Sequence, residues 1–201
     1  MSVLLEAAFN RVFDTQKLYR RMLDAMARPG TVVALPRLDV YPPPGLSNYA
    51  SALAFTLLDA DTTFATLPAN ELWQEYLTVN TGARPAAPTD AEFIVLEGPK
   101  YGPQLATVRR GDLLAPQDGA TIFAMVDALE ADKGELKLTL SGPGVDGKAT
   151  VFVAGLHWSN LENILSLNQE YPLGVDCFLT DRQGRLTALP RSTAVQWEVV
   201  A

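Results

Sequence analysis

Apolar residues recur along the first half of the chain at two different spacings. Three segments repeat them every three or four residues, which is typical of helices that pack on one face, and short apolar runs lie between these segments. The pattern predicts helices over 15–27, 47–58 and 71–80 and strands over 31–35, 63–67 and 93–96. Asp14 and Asn70 are the predicted N-caps of the first and third helices.

The first predicted helix carries an apolar stripe that we expect to face the core. The stripe consists of Leu18, Tyr19, Met22, Leu23 and Met26. Arg20, Arg21 and Asp24 fall on the other face, and Pro29-Gly30 ends the helix.

Strands dominate the second half of the chain. Apolar runs predict them over 121–126, 135–140, 148–155, 175–180, 185–189 and 194–200. One helix interrupts them, predicted from the capping box of Ser159 and Glu162 and extending to Asn168. Because no repeat or linker divides the sequence, we predict a single α/β domain over residues 1–201, with a mixed sheet covered by helices.

Composition and charge narrow the range of partners. The chain is 48% hydrophobic, and its 16 basic and 23 acidic residues give a net charge of −7. With a sequence pI of about 4.7 there is no global positive field, so neither nucleic acid nor an anionic membrane is an expected partner. An anionic ligand would need a local cluster of arginines or backbone N–H groups.

The single cysteine and the single histidine exclude two kinds of site. Cys177 alone cannot form an internal disulfide, and His157 alone cannot supply a two-histidine metal site, although a site shared with a partner stays open. Residues 1–13 lack the pattern of a signal peptide, and no apolar stretch reaches the roughly 18 residues that span a bilayer. We expect a cytoplasmic protein without a metal site of its own.

The segment from Gly142 to Lys148 has the glycine pattern of a nucleotide-binding loop. Such a loop needs a strand before it and a helix after it, because the helix N-terminus holds the phosphate. Here residues 149–153 are strand-like, and Ala149 occupies the position of the Mg²⁺-binding hydroxyl. We favour a β-hairpin turned at Asp146-Gly147, and a stand-alone nucleotide-binding enzyme is the alternative.

His157 and Cys177 have structural interpretations that compete with chemical ones. No Gly-x-Ser-x-Gly motif supplies a nucleophile for His157, which directly precedes a predicted helix, so we favour a structural histidine over a general base. Cys177 shares one face of an apolar strand with Val175 and Leu179, which predicts a buried thiol without raised reactivity.

Asp176 and the segment from Arg191 to Thr193 are the stronger candidates for a site. Asp176 interrupts a strand that should be buried, so its carboxylate must be paired or hydrogen-bonded. It either caps the preceding Pro-Leu-Gly turn or lines a pocket. Arg191, Ser192 and Thr193 offer a guanidinium and two hydroxyls that suit an anion, although we favour a solvated surface arginine as the interpretation of Arg191.

Five sequence blocks, taken together, resemble one protein family. They are YRRMLDAMARPG (19–30), Gly111 with PQDGAT (116–121), LTLSGPGV (138–145), YPLGVD (171–176) and LTALPRST (186–193). In this order they resemble the PhnH family, whose members are subunits of the bacterial carbon–phosphorus lyase system for phosphonate breakdown. The blocks span nearly the whole chain, although each alone is weak.

The resemblance implies a fold, partners and a reaction. The fold is a three-layer α/β sandwich similar to the large domain of pyridoxal-phosphate-dependent transferases, without that cofactor, and no lysine here sits in a context typical of a Schiff base. The implied partners are PhnG, PhnI, PhnJ and PhnL. The resemblance also implies that the family acts with PhnG, PhnI and PhnL to form ribose 1-phosphonate 5-triphosphate from ATP and an alkylphosphonate. In that reaction the alkylphosphonate displaces adenine. Enzyme activity is therefore expected only within a multi-subunit transferase.

The blocks also nominate site residues. The candidates for contact with a phosphonate or an ATP-derived ligand are Arg191, Ser192, Thr193, Asp176, Gly142 and Gly144. No catalytic residue is nominated, and a purely structural subunit stays an alternative. The sequence departs from the family at Leu173, where many relatives carry arginine, and at Ser141 and Val145. In isolation we expect a homodimer, with 194–200 and 160–168 as contact elements.

Overall fold

Two β-sheets and four α-helices make up the computed structural model, which describes residues 5–130 and 132–200. The helices are α1 (Phe13–Ala27), α2 (Asn48–Leu57), α3 (Glu71–Thr81) and α4 (Trp158–Leu167). Two short 3₁₀ turns cover Pro103–Thr107 and Pro116–Asp118. Within the described ranges, no helix combines the length and the apolar character that crossing a membrane requires.

The larger sheet has seven strands and mixed direction. Its strands are β1 (Val33–Ala34), β2 (Thr63–Leu67), β3 (Arg84–Pro85), β4 (Phe93–Glu97), β5 (Thr121–Met125), β9 (Asp176–Thr180) and β10 (Arg185–Leu189). Their order is β1-β10-β9-β5-β4-β2-β3. The five strands from β9 to β3 are parallel. At the β9 edge, β10 pairs antiparallel with β9, and β1 pairs antiparallel with β10. The predicted mixed sheet is confirmed.

The smaller sheet has four antiparallel strands. They are β6 (Ala128–Glu130), β7 (Leu136–Ser141), β8 (Ala149–Ala154) and β11 (Ala194–Val199), in the order β11-β7-β8-β6. β7 and β8 form a hairpin in which Leu140 lies opposite Ala149. The segment from Gly142 to Lys148 is the turn of this hairpin, and a strand follows it where a nucleotide loop would need a helix.

Both faces of the larger sheet are buried, and this creates three layers. Phe64, Val95 and Phe123 point to one side, where they pack against α1, α2 and α3. Residues one position further along the same strands, such as Ala65 and Leu96, point to the other side, where they meet the smaller sheet and α4. The sheet was predicted to be covered by helices, but one cover consists of a second sheet together with a single helix.

Most predicted elements lie within one or two residues of their observed bounds. The strands over 63–67 and 185–189 agree at both ends, and Asn70 caps α3 by accepting a hydrogen bond from the Trp73 backbone N–H at 3.2 Å. The prediction missed β3 and β6, which are two and three residues long. Such short segments carry too few residues for a periodic signal.

Two predicted helix caps are wrong. α1 begins before Asp14, because the Asn10 side chain accepts hydrogen bonds from the backbone N–H groups of Val12 (3.0 Å) and Phe13 (2.9 Å). α4 begins before Ser159, because His157 is its N-cap and the His157 Nδ1 accepts from the Ser159 N–H at 3.2 Å. The structural interpretation of His157 is confirmed.

Cys177 lies in the core between the larger sheet and the second layer. It is fully buried, and it shares its core with Leu179 of β9 and with Val175, which directly precedes β9. Burial raises the pKa of the Cys177 thiol well above its ordinary value, and the neighbouring Asp176 charge adds to this effect. The thiol is therefore protonated and shielded from reagents in the folded chain.

We predict that the native protein does not react with a thiol reagent at pH 8. Thiolate is the reactive form, and Cys177 is neither ionised nor accessible in the folded state. In concentrated guanidinium chloride one thiol per chain should titrate, since the chain has 1 cysteine. The absorbance change after addition of an aromatic disulfide measures the number of reactive thiols in the native and in the denatured protein. Prompt labelling without denaturant would contradict the described burial.

Candidate functional site

The structure brings most of the nominated residues together at the amino edge of the parallel strands. Asp176 begins β9, and Arg191 follows the end of β10. An added Cβ on Gly142 would lie 3.2 Å from the Ser192 carbonyl oxygen, so the hairpin turn passes beside the nominated segment. Gly144 lies apart from them, against the Ala27 carbonyl at the end of α1.

Asp176 and Arg191 form an ion pair, which we call the clasp. The Arg191 backbone N–H donates to Asp176 Oδ1 at 2.9 Å, and Nε and Nη2 donate to Oδ2 at 3.1 and 2.7 Å. The Arg191 Nη1 donates to the Pro116 carbonyl at 2.6 Å. The two side chains are only 23% and 15% exposed, so the pair is largely shielded from water.

Around the clasp, the backbone at Gly119 and the backbone at Gly174 lie very close together. An added Cβ on Gly119 would overlap the Gly174 carbonyl and lie 2.8 Å from Arg191 Nη1, so only glycine fits there. Gly174 itself has a φ of +136°, a conformation that side chains rarely adopt. The Asn168 Oδ1 accepts from the Val175 N–H at 2.7 Å and fixes this turn. Three of the five sequence blocks therefore meet at one point of the fold.

Two interpretations of the nominated residues need correction. Asp176 does not cap the preceding turn, because both of its oxygens accept hydrogen bonds from Arg191, and this pairing confirms that its carboxylate needs a partner. The favoured interpretation of Arg191 as a solvated surface arginine is wrong, because its Nε, Nη1 and Nη2 all donate within the chain.

The opposite edge of the larger sheet holds a cleft that sequence analysis did not nominate. Its volume is about 340 Å³, and it lies where β4, β5 and β9 end and α2 begins. Parallel α/β sheets commonly bind ligands outside the carboxyl ends of their strands. The lining comprises Gly45, Leu46, Ser47, Asn48, Tyr49, Glu97, Pro99, Met125, Val126, Asp127 and Arg182.

A buried aspartate organises one wall of the cleft. Asp181, at the end of β9, is fully buried, and its Oδ1 accepts from the backbone N–H groups of Gln183 and Arg185 at 2.9 Å each. Its Oδ2 accepts from the Arg185 Nε at 2.5 Å. Burial alone would lower the pKa of Arg185, but hydrogen bonds to Asp181 and Glu130 raise it, so the guanidinium stays charged. This turn carries Arg182 into the cleft.

Three aromatic rings stack near the loop that follows β4 and supplies Pro99 to the cleft. Tyr101 and His157 stack with centroids 5.3 Å apart, and His157 and Trp158 stack at 5.8 Å. Buried Asn160 holds the loop beneath them, because its Nδ2 donates to the Lys100 carbonyl (2.7 Å) and its Oδ1 accepts from the Gly102 N–H at 3.0 Å. Tyr101 and Trp158 remain about half exposed.

The cleft offers binding groups rather than a nucleophile with its base. The Ser47 hydroxyl is occupied as the N-cap of α2, where it accepts from the Tyr49 and Ala50 N–H groups. Glu97 pairs with Lys100 at 3.0 Å, whereas Arg182 has no ionic partner among the described residues. In the same ranges no group of three or more His, Cys, Asp or Glu side chains could hold a metal ion.

Sequence analysis missed Asp181, Arg182 and Asn160. Asp181 carried a signal, since an aspartate three residues before a glycine favours an Asx turn at the end of a strand. Asn160 carried none, because its partners in the loop after β4 are some 60 positions away in the chain. Only the fold shows that this side chain supports the wall of a cleft.

Fold and site together define a three-layer α/β protein with a clasp at one edge of its central sheet and a ligand-sized cleft at the other. Comparison with known families then identifies it. Residues 7–196 match the family of the bacterial phosphonate metabolism protein PhnH, and the chain belongs to that family. The resemblance inferred from the five blocks is confirmed.

Two curated proteins are similar to the chain over most of its length. One is the "Alpha-D-ribose 1-methylphosphonate 5-triphosphate synthase subunit PhnH" of Rhizobium meliloti (strain 1021), 30% identical over 93% of this chain and 92% of that protein. The other is the "Putative C-P lyase subunit protein HtxG" of Stutzerimonas stutzeri, 29% identical over 90% of this chain and 85% of that protein. Both names describe subunits of larger assemblies.

We predict that Arg191→Ala lowers the free energy of unfolding by about 2–3 kcal/mol. The substitution leaves the shielded Asp176 carboxylate without its partner, which costs more than losing a surface ion pair. Denaturant titration followed by circular dichroism measures the change.

Arg110→Ala is the matched control for the clasp. It removes an ion pair with Glu170 whose side chains are 44% and 65% exposed, and it should cost no more than about 1 kcal/mol. Equal losses in the two variants would show that the clasp contributes no more to stability than a surface pair.

Proposed function

We propose that this chain is the PhnH subunit of a complex that makes α-D-ribose 1-methylphosphonate 5-triphosphate. The observation that supports it is the extent of the similarity. The family matches residues 7–196, and the Rhizobium meliloti subunit aligns with 93% of the chain. The matched range contains the clasp, the cleft and all four helices of the described residues, so the similarity covers nearly the whole of the described fold.

The proposed reaction is a transfer between two substrates. An alkylphosphonate displaces adenine from ATP, so that a C1–oxygen bond of the ribose forms as the bond to adenine breaks. The chain takes part together with PhnG, PhnI and PhnL, and PhnJ is a further partner in the core complex. Its activity is that of a transferase subunit, and it needs those partners for catalysis.

The organisation of the chain is proposed on the same basis. We propose one domain, because both hydrophobic cores pack on the same seven-stranded sheet. We propose a fold related to the large domain of pyridoxal-phosphate-dependent transferases, and location in the cytoplasm, where ATP is available. In isolation the chain forms a homodimer. β11 lies at the edge of the smaller sheet, where one side of it pairs with β7 and the other side offers an unpaired edge for that contact.

The cleft is the first proposed place of contact with substrate. Its volume falls within the roughly 300–1,000 Å³ range of small-molecule sites, and Arg182 provides a cation without an ionic partner for a phosphate or phosphonate.

The nominated segment beside the clasp is the second proposed place. The buried Thr193 hydroxyl has no hydrogen-bond partner among the described residues, and a ligand oxygen would supply one.

We predict that the tagged chain, co-expressed with its genomic neighbours, purifies as a defined complex that contains them. A subunit should be retained at stoichiometric ratio through size-exclusion chromatography, and native mass spectrometry gives its composition. A monomer or homodimer of this chain alone, with the neighbours present and soluble, would contradict the proposed function.

We predict that Arg182→Ala reduces product formation by the assembled complex by about tenfold, as expected for loss of one charge-assisted contact. Arg84→Ala is the control, since this exposed arginine also lacks an ionic partner in the described ranges and lies away from the cleft. Unchanged turnover in Arg182→Ala would remove the cleft from consideration.

The same assay tests the nominated segment with Thr193→Val. Thr187→Val is its control, because the Thr187 hydroxyl is also buried without a partner. Lost turnover in Thr193→Val alone, at unchanged stability, would assign ligand contact to the clasp edge instead of the cleft.

A further inference from the structure

The apolar stripe predicted for α1 does not all face the core. Leu18 and Met22 are buried as expected, but Tyr19 is 47% exposed and Leu23 is 50% exposed. Val12, at the N-cap of the same helix, is 70% exposed. Residues 12, 19 and 23 follow the i, i+7, i+11 spacing of one helix face. α1 therefore has a second apolar face that the described residues leave about half exposed or more.

A basic groove runs along the same helix. It has a volume of about 500 Å³ and is lined by Lys17, Arg20, Arg21, Asp24, Ala34, Leu35 and Pro36. Between residues 11 and 28 the sequence has five basic and two acidic side chains, a net of +3 in a chain whose total is −7. Arg20 has no ionic partner among the described residues, whereas Arg21 lies 3.7 Å from Asp24.

Three occupants of this surface can be compared by their chemistry. A small anion would satisfy the arginines but leave Tyr19 and Leu23 in water. A second copy of the chain, related by a two-fold axis, would bring one basic groove close to the other, and like charges would repel. A protein surface with an apolar centre and an acidic rim would cover both features at once, and Tyr and Arg side chains dominate such interfaces.

We propose that the exposed face of α1, formed by Val12, Tyr19, Leu23 and the neighbouring Arg20, docks a different subunit through an apolar patch rimmed by acidic residues. The inference rests on the proposed function, because it requires a complex to dock into. The α1 surface is separate from residues 160–168 and 194–200, which we expect to contact a second copy of the chain in the homodimer. The expected partner is a sister subunit, and the contact is not the homodimer interface.

The test compares two double variants in which the substituted side chains are exposed to the same extent. Tyr19→Ser with Leu23→Ser should reduce the chain's incorporation into the co-expressed complex at least about tenfold, as expected for loss of central apolar contacts. Leu72→Ser with Val79→Ser on α3, where the side chains are 50% and 47% exposed, should leave incorporation unchanged. Native mass spectrometry at matched expression gives the incorporated fraction.

A charge-reversal variant of this chain tests separately whether the partner's surface has an acidic rim. Arg20→Glu should slow association of the purified chain with a complex that lacks it, and should weaken the salt dependence of the association rate. Arg84→Glu is the control for an exposed arginine elsewhere. Circular dichroism of every variant confirms that folding is retained before incorporation is compared.

The outcomes separate this proposal from the proposed function. If the wild-type chain forms no complex, the proposed function fails. If the wild type assembles and the α1 variants assemble equally well, the docking surface is wrong although the function stands. If the α1 variants instead abolish a homodimer and still enter the complex, a second copy covers the surface and the inference is overturned.

Discussion

Burial of the central sheet on both faces is the constraint on which the rest of the structure depends. β4, β5 and β9 are covered by helices on one side and by the smaller sheet on the other, so neither face can present polar groups to solvent. Polar chemistry is therefore confined to the ends of the strands. The clasp lies at the amino ends of β5 and β9, and the cleft lies at the carboxyl ends of β4, β5 and β9.

An aspartate–arginine ion pair lies at each end of β9, and the two pairs have different structural roles. Asp176 at its start pairs with Arg191, and Asp181 directly after its end pairs with Arg185. Each pair satisfies a carboxylate that the surrounding core would otherwise destabilise, and each fixes a backbone turn. The first ties the chain after β10 to the Pro116 turn, and the second shapes a wall of the cleft. A strand that is buried on both faces thus has an aspartate–arginine ion pair at each of its ends.

Local patterns in the sequence predicted the central strands and α3 closely, because their apolar residues repeat without interruption and Asn70 gives a clear start. They could not predict contacts between distant segments. Asn10 displaced the expected Asp14 cap, and Asn160 gained its role from a loop some 60 residues earlier. Asp176 was identified as needing a partner, but only the fold brought Arg191 to it. The cleft escaped notice because its lining comes from four separate segments.

Local sequence patterns also overestimated how much of α1 is buried. A five-residue apolar stripe covers more of a helix surface than one buried face requires, and the pattern alone cannot tell a core contact from an interface contact. In the structure only part of the stripe is buried. α1 packs on α2 and β10, with Leu18 and Met22 buried, whereas Tyr19 and Leu23 are about half exposed. α2, whose first residues line the cleft, lies directly beside α1. A subunit docked on α1 would therefore lie one helix away from the cleft. This arrangement suits a protein that contributes binding groups to a reaction completed by its partners.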